Sequence, residues 1–180
     1  PVDIFDLWYK KVVQTAHYSE PSAMVLATCD ENGHPSARVV LLKRYSKKGF
    51  EFFTNYQSKK GKEIVANPAV ALVFDWRHVS RQVRIEGVAE FLTSEESDAY
   101  YFSRPRASQI SAWCCKQSNI LENRDDLLVQ IRVTEERFAG RQVPRPQYWG
   151  GFRVVPHLIE FWQEGEHRLH TRMQYKKSDG

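Results

Sequence analysis

Asn32-Gly33 constrains this chain more than any other dipeptide in it. An Asn-Gly pair between two apolar runs accepts the positive φ angles of a tight hairpin turn. The flanking runs are residues 23–30 (AMVLATCD) and 36–43 (SARVVLLK), and they predict two antiparallel strands. Ser46-Lys47-Lys48-Gly49 marks a second turn, leading into a short strand over 50–54. The apolar runs 69–76 and 82–91 predict a further hairpin. Strands joined in succession by tight turns make an antiparallel sheet rather than a βαβ alternation.

Helical signals lie among these strands. Ile4, Phe5, Trp8 and Val12 recur at helical spacing across 3–16. Ser58 is placed to cap a helix over 59–66, which Pro68 ends. Thr93-Ser94-Glu95-Glu96 has capping-box spacing and opens a helix reaching about Ser103. A short helix is expected over 108–116, with Ile110, Trp113 and Cys114 on one side. A longer one is expected over 123–138, with Leu127, Leu128, Ile131 and Phe138 facing inward. Pro144-Arg145-Pro146 reads as a stiff linker, followed by strands near 151–155, 158–163 and 168–175. The result is one α+β, barrel-like domain spanning residues 1–180.

Composition narrows the function. With 42% hydrophobic residues the chain can bury a core and is not disordered. No apolar run approaches the roughly 20 residues of a membrane-spanning helix. The start, PVDIFD, lacks the basic and apolar regions of a signal peptide, and its missing Met reads as trimming. The cysteines are Cys29, Cys114 and Cys115, an odd count with an adjacent pair, which points to reduced thiols and a cytoplasmic setting. Cys29 and Cys115 read as small buried hydrophobes.

A net charge of +4 suits either nucleic acid or phosphorylated small molecules. The basic residues are scattered, and the densest group is Lys59-Lys60-Gly61-Lys62. Phe52, Phe53 and Tyr56 read as core rather than as a base-stacking platform, so phosphate-bearing ligands explain the charge better. Gly-x-Gly-x-x-Gly, P-loop, His-Glu-x-x-His and Gly-x-Ser-x-Gly motifs are all absent from the sequence. The run Arg168–Arg172 reads as extended after a turn at Gly165. Period-2 alternation then puts Arg168, His170 and Arg172 on one face. Such a face is either a solvated surface or a site for an anionic or electron-rich planar ligand. His167 and His170 would face opposite ways, so no metal is expected there.

Four segments together resemble the pyridoxine (pyridoxamine) 5′-phosphate oxidase family. They are Arg38-Val39-Val40-Leu41-Leu42-Lys43; Phe53-Thr54-Asn55 with Ser58-Lys59-Lys60; the run from Tyr100 to Ile110; and Trp149-Gly150-Gly151-Phe152 continuing to Glu160-Phe161-Trp162-Gln163 and Arg168-Leu169-His170. The resemblance implies an antiparallel, FMN-binding split β-barrel of Greek-key type with peripheral helices. It implies a homodimer with FMN at the subunit interface, phosphorylated B6 vitamers and O2 as substrates, and no nucleic-acid or membrane partner. The implied reaction oxidises pyridoxine or pyridoxamine 5′-phosphate to pyridoxal 5′-phosphate, with hydride passing from substrate C4′ to flavin N5 and O2 becoming H2O2.

It also implies roles. Arg38, Lys59 and Lys60 would hold the FMN phosphate, aided by the start of helix 59–66. Val39, Val40, Leu41, Leu42, Lys43, Phe53, Thr54, Gln82, Gln117, Ser118, Trp162 and Arg172 would complete the cofactor shell, partly from the second subunit. Lys43, Tyr100, Arg104 and Ser108 would clamp the substrate phosphate. Tyr100, Arg104 and Ser108 are spaced four apart, so within one helix they would share a face. Arg168 and His170 would bind the substrate ring as catalytic residues. In a regular strand Arg38 and Lys43 would face opposite ways, which a bulge, or Lys43 at the strand end, would resolve.

The chain departs from the family pattern in places. Thr171 stands where Asp is usual, and Lys59 stands where Arg is common. The usual Trp and Arg-Leu-x-Pro ending is missing, so both ends read as trimmed. The alternatives are a non-catalytic FMN- or pyridoxal-phosphate-binding barrel, a flavin enzyme acting on a phenazine precursor, and a nucleic-acid-binding barrel.

Overall fold

The computed structural model describes residues 1–15, 20–114, 117–118 and 123–178. Among these, the elements run α1 (Val2–Thr15), β1 (Ala23–Cys29), β2 (Pro35–Leu41), β3 (Arg44–Ser46), β4 (Gly49–Asn55), α2 (Lys59–Ala66), β5 (Ala69–Trp76), β6 (Arg81–Phe91), α3 (Ser94–Ser103), α4 (Arg106–Cys114), α5 (Arg124–Arg137), β7 (Trp149–Gln163) and β8 (Thr171–Lys176). The strands form one sheet in the order β2-β1-β5-β6-β7-β4-β3, with β8 on β7. The pairs β1–β2, β1–β5, β3–β4, β5–β6 and β7–β8 are all antiparallel, as the tight turns predict. No described helix is long and apolar enough to cross a membrane.

The chain divides into two compact units: residues 1–52, 63–90 and 153–180, and residues 53–62 and 91–152. In the first, the Asn-Gly turn forms as expected. Gly33 has φ 83°, and Asp30 Oδ1 accepts from the N–H groups of Asn32 and His34 at 2.9 and 2.8 Å. Alternate residues of β1 and β5 (Met24, Leu26, Leu72, Phe74) enter the core. Phe5 of α1 is fully buried, with its ring centroid 4.9 Å from those of Tyr45 and Phe50 and 5.1 Å from that of Phe74.

Two details of this unit differ from expectation. β3 has three residues, too few for periodicity to show. β7 is one strand where two were expected. Pro156 lies within it, just before the β8 pairing that begins at Leu158, and its fixed φ suits extended backbone. Gly87 of β6 allows β7 to pass close, since a Cβ there would sit 2.3 Å from Val155 O.

The second unit is built on Tyr101, Ile110, Ala112, Cys114, Phe138, Val143 and Trp149. Thr93 and Glu96 form the expected capping box at the start of α3. Asn123 caps α5, its side chain accepting from Asp125 N–H at 3.0 Å. Leu127 and Ile131 pack against the core one turn apart, but Leu128 is 54% exposed rather than inward. One residue further round the helix is enough to turn it onto the flank. Cys29 is partly exposed rather than buried, because it ends β1 next to the turn, and Cys115 lies outside the described residues.

Candidate active site

In the first unit, β6 and β7 bring Gln82 and Trp162 to one cleft of about 360 Å³, lined also by Arg77, Ser80, Arg81 and Glu164. Its walls are tied together. Arg81 Nε donates to Gln163 Oε1 at 2.6 Å. Gln163 Nε2 and the Glu164 N–H both donate to Ser80 O, at 3.1 and 2.9 Å.

The connection beyond this cleft corrects the sequence reading. Arg168, His170 and Arg172 do not share a strand face. The β7–β8 register sets Thr171 opposite Gln163, so Glu164–His170 must serve as the turn. Glu166–Arg168 form a 3-10 turn in which His167 and Arg168 have φ 53° and 66°. These left-handed values strain residues with side chains and recur where a site fixes a group's direction. Gly165 is required there, since a Cβ would lie 2.0 Å from Leu169 O. The facing argument about His167 and His170 lapses with the strand. No group of three His, Cys, Asp or Glu among the described residues could hold a metal.

His170 has its ring centroid 4.6 Å from that of Trp162. Its Nδ1 accepts from the Gly165 N–H at 3.2 Å, so the neutral ring carries its proton on Nε2. Arg172 does lie in β8, opposite Trp162, with its Nη2 3.0 and 2.8 Å from the two oxygens of buried Glu160.

β2 is an edge strand, so one side of the Arg38–Leu41 backbone faces away from the sheet. Arg38 reaches the buried carboxylate of Glu63, with Nη2 3.1 Å from Oε2. Burial acts to raise the Glu63 carboxyl, but hydrogen bonds from Thr28, Ser36 and Arg38, with the Arg38 charge, hold it below the usual range. Val39 and Val40 alternate faces, with Val39 64% exposed, while Leu42 joins the core. Lys43 lies past the end of β2, exposed, its N–H donating to Glu51 O at 2.8 Å. Lys43 thus lies outside the strand whose alternation would set it opposite Arg38.

In the second unit, Thr54, Lys60 and Gln117 meet. Thr54 Oγ1 donates to Gln117 Oε1 at 3.2 Å, and Lys60 Nζ donates to Thr54 Oγ1 at 3.3 Å and to Ser58 Oγ at 3.4 Å. Ser58 Oγ also accepts the Gly61 N–H at 3.3 Å, the capping contact expected of it. Lys60 is buried, while Lys59, Gln117 and Ser118 are exposed, Ser118 with φ 70°.

Phe53, Tyr100 and Trp149 form a stack. The Phe53 and Tyr100 centroids are 3.9 Å apart, and those of Phe53 and Trp149 5.7 Å. The Arg104 guanidinium lies 4.6 Å from the Trp149 centroid. Its Nη1 is buried and has no hydrogen-bond partner among the described residues. Burial pulls this guanidinium below its ordinary pKa, against the influence of Tyr100 and Tyr101.

Tyr100, Arg104 and Ser108 do not share a helical face. Arg104 is extended (φ −77°, ψ 149°) after the end of α3, as a residue before proline tends to be, and α4 starts at Arg106. Ser108 sits in the first turn of α4, its N–H donating to Pro105 O at 2.9 Å. Trp149 and Glu63 are the site residues that sequence reasoning gave no role. Trp149 was within reach, since it opens the Trp-Gly-Gly-Phe motif. Nothing local distinguishes Glu63 from a solvated helix residue.

Comparisons with known proteins identify the family and the fold. Residues 11–138 match the family described as pyridoxamine 5′-phosphate oxidase, and residues 149–180 match the pyridoxine 5′-phosphate oxidase C-terminal dimerisation region. The pyridoxine/pyridoxamine 5′-phosphate oxidase of Anaplasma phagocytophilum is 60% identical over 99% of this chain and 86% of its own. That of Rubrobacter xylanophilus is 50% identical over 98% and 81%. Among solved structures, PhzG from Burkholderia lata 383, in complex with tetrahydrophenazine-1-carboxylic acid, superposes with TM-score 0.93 at 29% identity, over 99% of this chain and 87% of that one. A pyridoxamine 5′-phosphate oxidase-related, FMN-binding protein from Nostoc punctiforme shares the fold at TM-score 0.78 and 14% identity, over 99% and 92%. The α+β antiparallel split-barrel class expected from the sequence is the class of these structures.

Proposed function

The chain belongs to the pyridoxine/pyridoxamine 5′-phosphate oxidase family of FMN-dependent enzymes, and from that premise we propose how its own residues divide the work. It oxidises the 5′-phosphates of pyridoxine and pyridoxamine to pyridoxal 5′-phosphate. The observation that carries the substrate assignment is Arg104, a buried guanidinium nitrogen without a partner among the described residues, set over an aromatic stack. Such a donor is costly to leave unmade, and a phosphate oxygen satisfies it. Tyr100, Ser108 and Lys43 complete the clamp in this reading.

The residues present fit FMN by their chemistry. Arg38, Lys59 and Lys60 supply the cations that a phosphate dianion needs, and along Val39–Leu42 the backbone groups turned away from β1, those of Val39 and Leu41, supply hydrogen-bonding groups, the Leu42 N–H being given to Ser22 O. Phe53, Thr54, Gln82, Gln117, Ser118, Trp162 and Arg172 offer aromatic surface and amide, hydroxyl and guanidinium groups for the rest of the cofactor. Bound FMN would supply the redox chemistry, as acceptor of a hydride equivalent from substrate carbon C4′ whose two electrons would then reduce O2 to H2O2. The protein's part is placement. Arg168, held in a strained turn, orients the substrate ring, and His170 presents an Nε2–H donor to it. The aromatic walls exclude water.

The dimerisation match at 149–180 supports a homodimer, and we place FMN at its interface. Val25 and Val39, opposite each other in the β1–β2 register and both exposed, suit a face that a second subunit covers.

The test supplies FMN-saturated protein with pyridoxine 5′-phosphate in air and follows aldehyde and peroxide together. Equal amounts of both are expected, with unphosphorylated pyridoxine turned over far more slowly. Bound flavin with neither product would favour the non-catalytic alternative.

A further inference from the structure

We propose that Glu63 is a positioning residue for the flavin phosphate: its buried carboxylate fixes the Arg38 guanidinium in the direction from which it meets the anion. The inference rests on the reading of Arg38 as part of the cofactor shell.

Glu63 belongs to α2 and is 6% exposed, while the Arg38 side chain on β2 is 20% exposed. Arg38 Nη1 donates to Leu26 O at 3.3 Å and Thr28 Oγ1 at 2.5 Å. Its Nη2 donates to Ser36 Oγ and to Glu63 Oε2, the latter at 3.1 Å. The same two hydroxyls donate to Glu63: Thr28 Oγ1 to Oε2 at 2.5 Å, and Ser36 Oγ to Oε2 and Oε1 at 2.7 and 2.9 Å. A hydroxyl has one hydrogen and two lone pairs. With both hydrogens drawn to the carboxylate, both hydroxyls must turn lone pairs toward Arg38. Glu63 thus acts on the guanidinium twice, by direct ion pairing and by setting the polarity of two acceptors. Without it, the hydroxyls rotate and the guanidinium loses its fixed direction.

A carboxylate beside a cationic phosphate site also has an electrostatic price, since its charge opposes the incoming anion. Fold stability alone does not call for this arrangement, because well-packed apolar residues usually serve as well as a buried ion pair. Orientation is the benefit that offsets the repulsion.

The experiment titrates apoprotein with FMN and, separately, with riboflavin, which lacks the phosphate, following flavin fluorescence. It compares wild type with Glu63→Gln, Glu63→Ala, Arg38→Ala and the Arg38→Ala/Glu63→Ala double variant. Loss of one charge-assisted contact predicts an FMN Kd raised roughly tenfold in Glu63→Ala, and less in Glu63→Gln. Riboflavin affinity should not change, and Glu63→Ala should add nothing once Arg38 is gone. Equal losses for FMN and riboflavin would show a merely structural role and overturn the proposal. Unchanged or tighter FMN binding would overturn it too, since repulsion would then be the dominant effect. If Glu63→Ala does not fold, the FMN-to-riboflavin ratio of Glu63→Gln decides the matter, and an unchanged ratio overturns it. Wild-type FMN affinity in Arg38→Ala would instead remove the cofactor reading of Arg38 itself.

Discussion

Arg104→Ala isolates the substrate clamp. In the free protein the Nη1 of this residue is buried without a partner among the described residues, so truncation breaks no hydrogen bond there. What it does remove is the cation over Trp149 at 4.6 Å, a contact worth about 0.5–2 kcal/mol. The fold should survive that loss. In the substrate complex the same nitrogen gains a phosphate oxygen, and a hydrogen bond between charged groups contributes about 1.5–3 kcal/mol net. At 1.4 kcal/mol per factor of ten, KM for pyridoxine 5′-phosphate should rise roughly 10- to 150-fold. Flavin content should stay at the wild-type level. Arg104→Lys keeps the charge but loses the planar fork, so it should recover only part of the affinity. The assay is steady-state kinetics with pyridoxine 5′-phosphate and with unphosphorylated pyridoxine. An unchanged KM for the phosphorylated substrate, or an equal loss for both substrates, would refute the assignment.

Other outcomes follow from the same structure. Arg168→Ala should lower kcat on the order of a hundredfold through lost orientation while FMN stays bound; a variant that emerges colourless would move Arg168 into the cofactor shell. Phe5→Ala should cost about 3–5 kcal/mol in denaturant melts, because a fully buried ring set among the rings of Tyr9, Tyr45, Phe50, Phe74 and Trp76 leaves a cavity; a loss under about 1 kcal/mol would contradict that packing. Burial, and then the hydrogen bond from its hydroxyl to Asp6, push Tyr45 up from 10.0 to about 12. Its folded pKa lies above the unfolded one, so its contribution to stability is whole below pH 10.0 and is lost as pH rises to about 12. Melting temperatures of Tyr45→Phe should accordingly fall less steeply than wild type across that window, and parallel curves would sink the idea.

Signals that local chemistry settles were legible in the sequence. The Asn32-Gly33 turn, the Thr93–Glu96 capping box and the Ser58 cap all appear where their residues put them. Errors arose where a long-range partner decides. The backbone from Gly165 to His170 could have been strand, and only the register of β8 against β7 makes it a turn. Four-residue spacing placed Tyr100, Arg104 and Ser108 on one face, but Pro105 was the stronger signal and breaks the helix there. The buried state of Glu63 depends on residues 25 to 35 positions away, and no periodicity encodes that.

The most direct measurement mixes FMN-loaded protein with pyridoxine 5′-phosphate in the absence of oxygen and records the visible absorbance. Transfer of the substrate's electrons to the flavin predicts bleaching of the yellow colour, aldehyde equimolar with the flavin, and return of the colour when oxygen is admitted. Flavin that stays oxidised in excess substrate would contradict the account.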